Sequence, residues 1–312
     1  MKKTICLAVI VTLIVSLFSG CTGKDSALAI EDSLISAGVY AYYRSQSGSQ
    51  EEARDICIKN VAAENIMKKE GITLSANYKR LVAEQTDKKW SMFSAYYESI
   101  GVTKQDITAA LTCDYNKKEL LDYYYGDNGK KPLSEKKLLS EFDKTYVGFR
   151  AVEASYVRIS DMGESVNLSD KEKSNLKKQF SSMSESINNG TMTIDKANEK
   201  YNESIGLIVT QSLETVLVKE GDVLYGDDFF KKVSELEKLS SAVIESGNSI
   251  YLILRDDIAS QDSEYFYLYK SEILEKIKMP DIEKKLLKES AEYTVKTNKG
   301  IIKDIEEKLI ET

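Results

Sequence analysis

The sequence predicts a mostly helical α+β fold in which one small strand-bearing module is inserted between two helical regions. Three observations lead to this class. Residues 152–161 alternate Val152, Ala154, Tyr156 and Arg158 with Glu153, Ser155, Val157 and Ile159, a period-two pattern rich in β-branched and aromatic residues. Residues 243–257 repeat the signal, with a near-continuous apolar run from Ile250 to Leu254 after the turn Gly247-Asn248-Ser249. Nearly all the remaining chain carries helical periodicity, and 2 prolines and 16 glycines in 312 residues leave those helices largely uninterrupted.

Composition narrows the function classes. With 42% hydrophobic and 30% charged residues the chain is globular rather than disordered, and a formal charge of -7 gives nucleic acid no net attraction. The 0 histidines remove the usual general base near neutral pH, the commonest metal ligand and the ordinary catalytic triads. No Walker loop, dinucleotide-binding glycine motif, nucleophile elbow or cysteine cluster is present, so neither a cofactor nor a metal is expected.

Residues 1–20 read as a secretory signal: Lys2 and Lys3 precede an apolar run from Ile5 to Phe18 that is short for a membrane span. Leu17-Phe18-Ser19-Gly20-Cys21 resembles the lipobox of bacterial lipoproteins, with Phe18 departing from the usual leucine. The resemblance implies cleavage before Cys21 and acylation there, so that residues 21–33 form a lipidated tether at an extracytoplasmic membrane surface. Cys57 and Cys113 are then the remaining thiols, each within a predicted helix, and they are expected to stay free.

The N-terminal helical region covers residues 34–148. Ser49 and Glu52 read as a capping box, Ala53, Ile56, Cys57, Val61, Ala63 and Met67 as one apolar stripe, and Gly71 as a left-handed stop. A second helix, residues 75–100, carries the single tryptophan, Trp90, with Phe93, Tyr96 and Tyr97. A third opens at Thr103 with Asp106 in its first turn and runs to Tyr125; a fourth, residues 134–146, buries Leu138 and Phe142. Successive tyrosines on a helix point about 100° apart and cannot share one core. They are either core-edge residues or the lining of a groove for unfolded polypeptide, for which Tyr40, Tyr43, Trp90, Tyr97 and Tyr124 are the candidates here, with Phe180 and Met183 further on.

The inserted module spans residues 149–257. Ser169 and Glu172 cap a helix whose Leu176, Phe180, Met183 and Ile187 share a face, and a shorter helix carries Ile194, Ala197 and Tyr201. An apolar piece at residues 206–209, a third helix with Phe229, Val233 and Leu236, and the closing strand pair complete a layer of helices on a small sheet. In the C-terminal segment, residues 258–312, Tyr265, Tyr269, Ile273 and Ile277 recur every four residues and Pro280 is expected to break or kink the run. A short strand near residues 293–297 and a last helix, residues 301–310, follow; the apolar face of that helix needs a partner, expected in the N-terminal region.

These residues bring a family into view. Ala154-Ser155-Tyr156-Val157-Arg158-Ile159 is similar to the Ala-Ser-His-Ile-Leu opening strand of parvulin-type peptidyl-prolyl isomerases, and residues 243–246 with 250–253 resemble their closing Val-Val-Glu-Ser and Tyr-His-Ile-Ile run. The flanking helical regions resemble the two-part chaperone lobe of the PrsA and SurA foldases. The resemblance implies an anchored extracytoplasmic foldase whose partners are unfolded or newly secreted polypeptides, with a homodimer left open. The family's two histidine positions are occupied by Tyr156 and Tyr251, implied to face each other across the sheet, and its glycine-rich loop is reduced to Ile205-Gly206-Leu207-Ile208. Isomerisation must cross a barrier of about 18–20 kcal/mol, and loss of these groups points to a module that kept its fold and lost its chemistry. An active isomerase using tyrosines is the alternative; a solute-binding or scaffold lipoprotein is a further one, and the solute-binding class would need repeated strand–helix alternation in both lobes, whereas the first 146 residues read without a strand.

Overall fold

The computed structural model of the chain describes residues 25–160, 162–208, 211–226, 228–260 and 263–311. The expected signal segment and Cys21 lie outside the described residues. Strands are β1 (Ser26–Ile30), β2 (Ser33–Ser36), β3 (Tyr146–Ser155), β4 (Val157–Ile159), β5 (Ser165–Asn167), β6 (Val216–Lys219), β7 (Ser241–Ser246), β8 (Ser249–Arg255) and β9 (Val295–Thr297). Helices are α1 (Ala37–Gln46), α2 (Gln50–Glu70), α3 (Ala76–Ser99), α4 (Lys104–Tyr125), α5 (Glu135–Thr145), α6 (Asp170–Asn188), α7 (Ile194–Ser204), α8 (Phe229–Ser234), α9 (Glu264–Glu289) and α10 (Lys299–Glu311). The mostly helical α+β class is the one observed. Two units divide the chain, one made of the chain up to Leu133 and from Leu274 onward, the other of Ser134–Ile273.

In the first unit β1 corrects the expectation of a tether through residue 33. Ala27 and Ile30 are fully buried, and β1 pairs antiparallel with β2 on one side and with β9 on the other. A five-residue strand whose second partner lies more than 260 positions away leaves no periodic signal of its own. The core beneath it takes Leu28, Ile35, Tyr40, Tyr42 and Ala53 from the N-terminal part and Ile302 and Ile305 from α10. Arg44 of α1 closes the same junction with a two-pronged pair to Glu306, at 2.7 and 2.9 Å. Such fork geometry matches a carboxylate.

Local chemistry starts and stops the helices where expected. Ser49 accepts from Glu52 N, but Glu52 Oε2 reaches Gly48 N at 2.7 Å rather than the cap residue, so the predicted box is opened by one position. Gly71 ends α2 at φ 68°. A full capping box starts α4, where Thr103 and Asp106 satisfy each other's backbone N–H. The other Asp106 oxygen accepts from Ser36 Oγ at 3.0 Å, the residue that itself caps α1. One carboxylate therefore ties the starts of two helices together, and Gly38 makes the room for it.

The second unit is built on a four-stranded antiparallel sheet in the order β6-β3-β8-β7. The structure lengthens the opening strand back to Tyr146 and breaks it after Ser155. Residues 157–159, expected to continue it, instead form a separate hairpin with β5. Strand β6 was not foreseen, since Val216–Lys219 is too short to show a period. The closing pair β7–β8 turns at Gly247-Asn248, with Gly247 at φ 56° and Ser246 opposite Ser249. Of the break or kink expected at Pro280, the break does not occur, as α9 continues through it. Burial of Ile282 and Leu286, both fully enclosed, outweighs the lost N–H and the ring clash.

Gly38→Ala tests the double cap. Helix propensity alone favours alanine by roughly 0.5–1 kcal/mol, but an added Cβ would lie 2.2 Å from Asp106 Oδ2 and 2.4 Å from its Cγ. Displacing that carboxylate removes caps worth about 1–2 kcal/mol, so urea denaturation should show a net loss of stability; a variant as stable as the parent would refute the tie.

Candidate functional site

Residue parity decides what the sheet of the second unit presents on each face. The β3–β8 register pairs Glu153 with Tyr251 and Ala154 with Ile250. Paired residues share a face, and successive ones alternate. Val152, Ala154, Ile250 and Leu252 accordingly pack on α6 and α7 with Phe180 and Met183, while Val147, Phe149, Tyr251 and Ile253 pack with Phe229 and Val233 of α8. Tyr156 belongs to the first group and Tyr251 to the second. Tyr156 and Tyr251 thus pack on opposite faces, which corrects the expectation that they face each other across the sheet.

Tyr156 is 9% exposed, with Lys173 Nζ 5.3 Å above its ring and its backbone tied to Asn248 and Leu168. Burial, reinforced by a hydrogen bond to Glu245, pushes its hydroxyl up to about 12. On the other face the Tyr251 hydroxyl donates to Glu153 Oε1 at 3.2 Å, and Ser249 Oγ donates to the same oxygen at 2.7 Å. The Tyr251 ring meets Phe229 edge-on at 5.5 Å and Tyr225 at 5.9 Å, and Tyr225 stacks on Phe229 at 4.7 Å. Burial raises the Tyr251 hydroxyl above its ordinary range as well. Both phenols are therefore neutral near pH 7, each committed to a carboxylate, and neither accepts a proton there.

Tyr251 and Phe229 are themselves buried, and the cluster reaches solvent only through Tyr225. Tyr225 is partly exposed, and the preceding Val223 and Leu224 are 79% and 82% exposed. Further exposed apolar side chains of this unit are Ile159, Met162 and Val166 around the β4–β5 hairpin, and Ile205, Leu207 and Ile208 after α7. The segment at 205–208, which in sequence reads as the reduced remnant of a glycine-rich loop, stands exposed. Turn residues carrying Ile, Met and Leu where Gly, Asn or Ser is usual were the signal available for this set.

Most of the predicted groove residues are core. Tyr40, Tyr43, Tyr97, Phe180 and Met183 are buried, and no peptide reaches them in this fold. The Tyr43 hydroxyl donates to Ala110 O at 2.7 Å and accepts from Asn60 Nδ2 at 2.7 Å, which lets a polar ring end sit deep in the unit. Trp90 is half-buried against the same core. Tyr124 lines a cleft of about 760 Å³ with Ile66, Tyr293, Lys69, Lys285 and Glu289. Its hydroxyl donates to Glu70 and Lys285 Nζ stands 4.4 Å from its ring. Exposed apolar side chains in this unit lie instead on α3, at Met92, Phe93 and Tyr96, with Leu287 on α9 and Ile310 on α10.

Beside Tyr43, burial holds the Asp114 carboxyl above the usual carboxylate range despite Lys117 at 3.2 Å. A raised folded-state value means that the associated stability is complete below the ordinary aspartate range and is lost as pH rises through the raised one. Asp114→Asn should therefore raise the urea midpoint at neutral pH and flatten its decline as pH rises above the ordinary aspartate range. A midpoint lowered at neutral pH would show that the ion pair with Lys117 prevails over burial.

No protein-family model matches the sequence, and no curated protein matches it. Among solved structures, the foldase protein PrsA from Lactococcus lactis is similar over 91% of this chain and 98% of its own, at 12% identity and a TM-score of 0.37. PrsA from Streptococcus pneumoniae is similar over 92% and 93%, at 11% identity and a TM-score of 0.35. A chain from a study of PEB4 and Cj1289, described as SurA-like chaperones in Campylobacter jejuni, covers 88% of this chain and 99% of its own, at 11% identity and a TM-score of 0.30.

Proposed function

We propose that the chain is an extracytoplasmic foldase, anchored through Cys21, that holds unfolded secreted polypeptide without catalysing prolyl isomerisation. The observation that carries this reading is the set of apolar side chains standing in solvent on the second unit, among them Met162 at 84%, Ile208 at 91% and Leu224 at 82% exposed. Surface of this kind binds extended chains without demanding a sequence, and it needs no proton transfer. The carboxylate-bound, separated tyrosines support the absence of catalysis. Among the described residues no helix is long and apolar enough to cross a membrane, and the anchoring half of the proposal rests on the lipobox-like segment.

A second reading, an isomerase with a non-standard site, is favoured by one feature: the Tyr251 hydroxyl lies in an aromatic cluster with the buried Phe229 and with Tyr225, which is partly exposed. The two are separated by measuring both activities on the chain from residue 22 onward. Aggregation of an unfolding client should be suppressed, and cis–trans exchange of a short X-Pro peptide should stay at the uncatalysed rate, tens to hundreds of seconds at 25 °C. Combined Ile159→Ser, Met162→Ser and Ile208→Ser should weaken client protection while leaving the melting temperature unchanged, since these side chains are exposed. Rate enhancement abolished by Tyr251→Phe would instead establish the isomerase. In cells, Cys21→Ala should leave unprocessed or released protein; unchanged membrane retention would remove the anchor from the proposal.

A further inference from the structure

The place where the chain enters the first unit lies close to an exposed apolar stretch of α3. Asp25 O accepts from Ala37 N at 3.2 Å, so the first described residue is fastened to the start of α1. Ser36, one position earlier, donates to Asp106, and Asp106 closes the capping box with Thr103. Thr103 stands four residues after Ser99, the end of α3. Counting back from that end at 1.5 Å per residue, Tyr96 is about 5 Å and Met92 about 10 Å along the helix axis. Met92 is 60% exposed, Phe93 48% and Tyr96 38%. At Phe93 the backbone leaves helical geometry, with φ -135° and ψ 20°. The stretch therefore presents a methionine, a phenylalanine and the ring of a tyrosine to solvent, beside Lys88 and Lys89.

We propose that this Met92–Phe93–Tyr96 face docks on the lipid bilayer to which the chain is attached. The inference rests on the Cys21 anchor of the preceding section, and the length of chain between anchor and fold is what selects the occupant. Four peptide links join Cys21 to Asp25, a reach of at most about 14 Å. A fold held that closely meets the headgroup layer continually, and the effective concentration of a surface so near its tether is high. Phenylalanine, methionine and tyrosine suit the interfacial zone, where an apolar body is buried and a hydroxyl stays wet. The charges nearby are of both signs, with Lys88, Lys89 and Lys104 against Asp87 and Glu98, so docking is driven by apolar burial and takes place on zwitterionic lipid. Lys104 is itself paired with Asp87 at 2.7 Å.

The test supplies the attachment chemically, so that it does not depend on whether cells acylate Cys21. The chain from Cys21 onward is coupled through that thiol to a maleimide lipid in phosphatidylcholine vesicles; Cys57 and Cys113 are buried and their thiols are pushed up by burial, so they do not compete. With Trp90→Phe removing the intrinsic tryptophan, Phe93→Trp reports on the face, and Asp32→Trp, on the β1–β2 turn at the far end of β1, serves as the control. Tyr96→Trp is a second reporter, used if the first fails to melt cooperatively. Expected is a blue-shifted emission at position 93 that loses most of its intensity when the acyl chains are brominated, with no such loss at position 32. Equal, weak quenching at both positions overturns docking. So does a blue shift without vesicles accompanied by the mass of two chains, which assigns the face to a second copy. Quenching on vesicles without acylation in cells would establish that the face binds lipid and remove the natural anchor; acylation without quenching would overturn docking and keep the anchor.

Discussion

Strand β1 has hydrogen-bonding partners on both edges, and the two come from opposite ends of the chain. β2 follows it directly, whereas β9 is supplied by Val295–Thr297. Asn298 N donates to Ala27 O and Glu31 N to Thr294 O, extending the ladder at either end. Around it stand the Arg44–Glu306 pair, the Lys69–Glu289 pair and the hydrogen bond from Asn65 to the Tyr293 hydroxyl. Closing a loop of this length costs only a few kcal/mol more than closing a short one, because the entropy grows as the logarithm of length. The consequence is kinetic as well as topological. Unit one lacks the third strand of its sheet and the two buried isoleucines of α10 until the last residues have been made, whereas the second unit, continuous in sequence, has all its own strands by Arg255.

That same pairing marks the boundary of what could be read from the sequence. Helices were legible because their signals are local. Gly71 at the end of α2, Thr103 with Asp106 before α4 and Ser169 with Glu172 before α6 all act within four residues of the backbone groups they satisfy. Strand β1 was not legible, since Ser-Ala-Leu-Ala-Ile looks like tether until its distant partner is known. The break at Tyr156 was hidden for a related reason. The period-two pattern continues through Val157 and Ile159, and only the hydrogen bonds from Tyr156 N to Asn248 and from Leu168 N to Tyr156 O show the strand leaving the sheet. Pattern gives alternation; it does not give the partner.

For the site, composition misled in a specific way. Tyrosine is large, apolar over most of its area and polar at one end, so a tyrosine-rich helical region is equally compatible with a groove and with a core. Burial resolves the matter residue by residue: Asn60 and Ala110 supply the hydrogen bonds that let Tyr43 go inside, and Gln50 O does so for Tyr40. In the second unit the decisive quantity was parity. Once Tyr251 is opposite Glu153, every even-numbered residue of β3 points to the other face, and residue 156 with them. A sequence comparison that matches motifs strand by strand carries no register between strands, and so places Tyr156 and Tyr251 together by analogy alone.

Under the proposed function, the exposed apolar residues of the second unit would set the strength with which a client is held. Fully burying one Leu, Ile or Met side chain contributes roughly 1.5–3 kcal/mol, and a flexible client gives back part of this as it is ordered. Two or three contacts among Ile159, Met162, Ile208 and Leu224 then leave a few kcal/mol, in the region of the roughly 4 kcal/mol that corresponds to a millimolar dissociation constant. Binding at that strength is brief at any single place and accumulates only when several places engage one chain. It also sets an upper limit on exposure. The residues in question sit singly or in short groups on turns and a hairpin, between charges such as Arg158, Glu164 and Asp222. A larger continuous patch would bind clients more tightly, but it would release them too slowly for their own cores to form and would bind a second copy of the chain equally well.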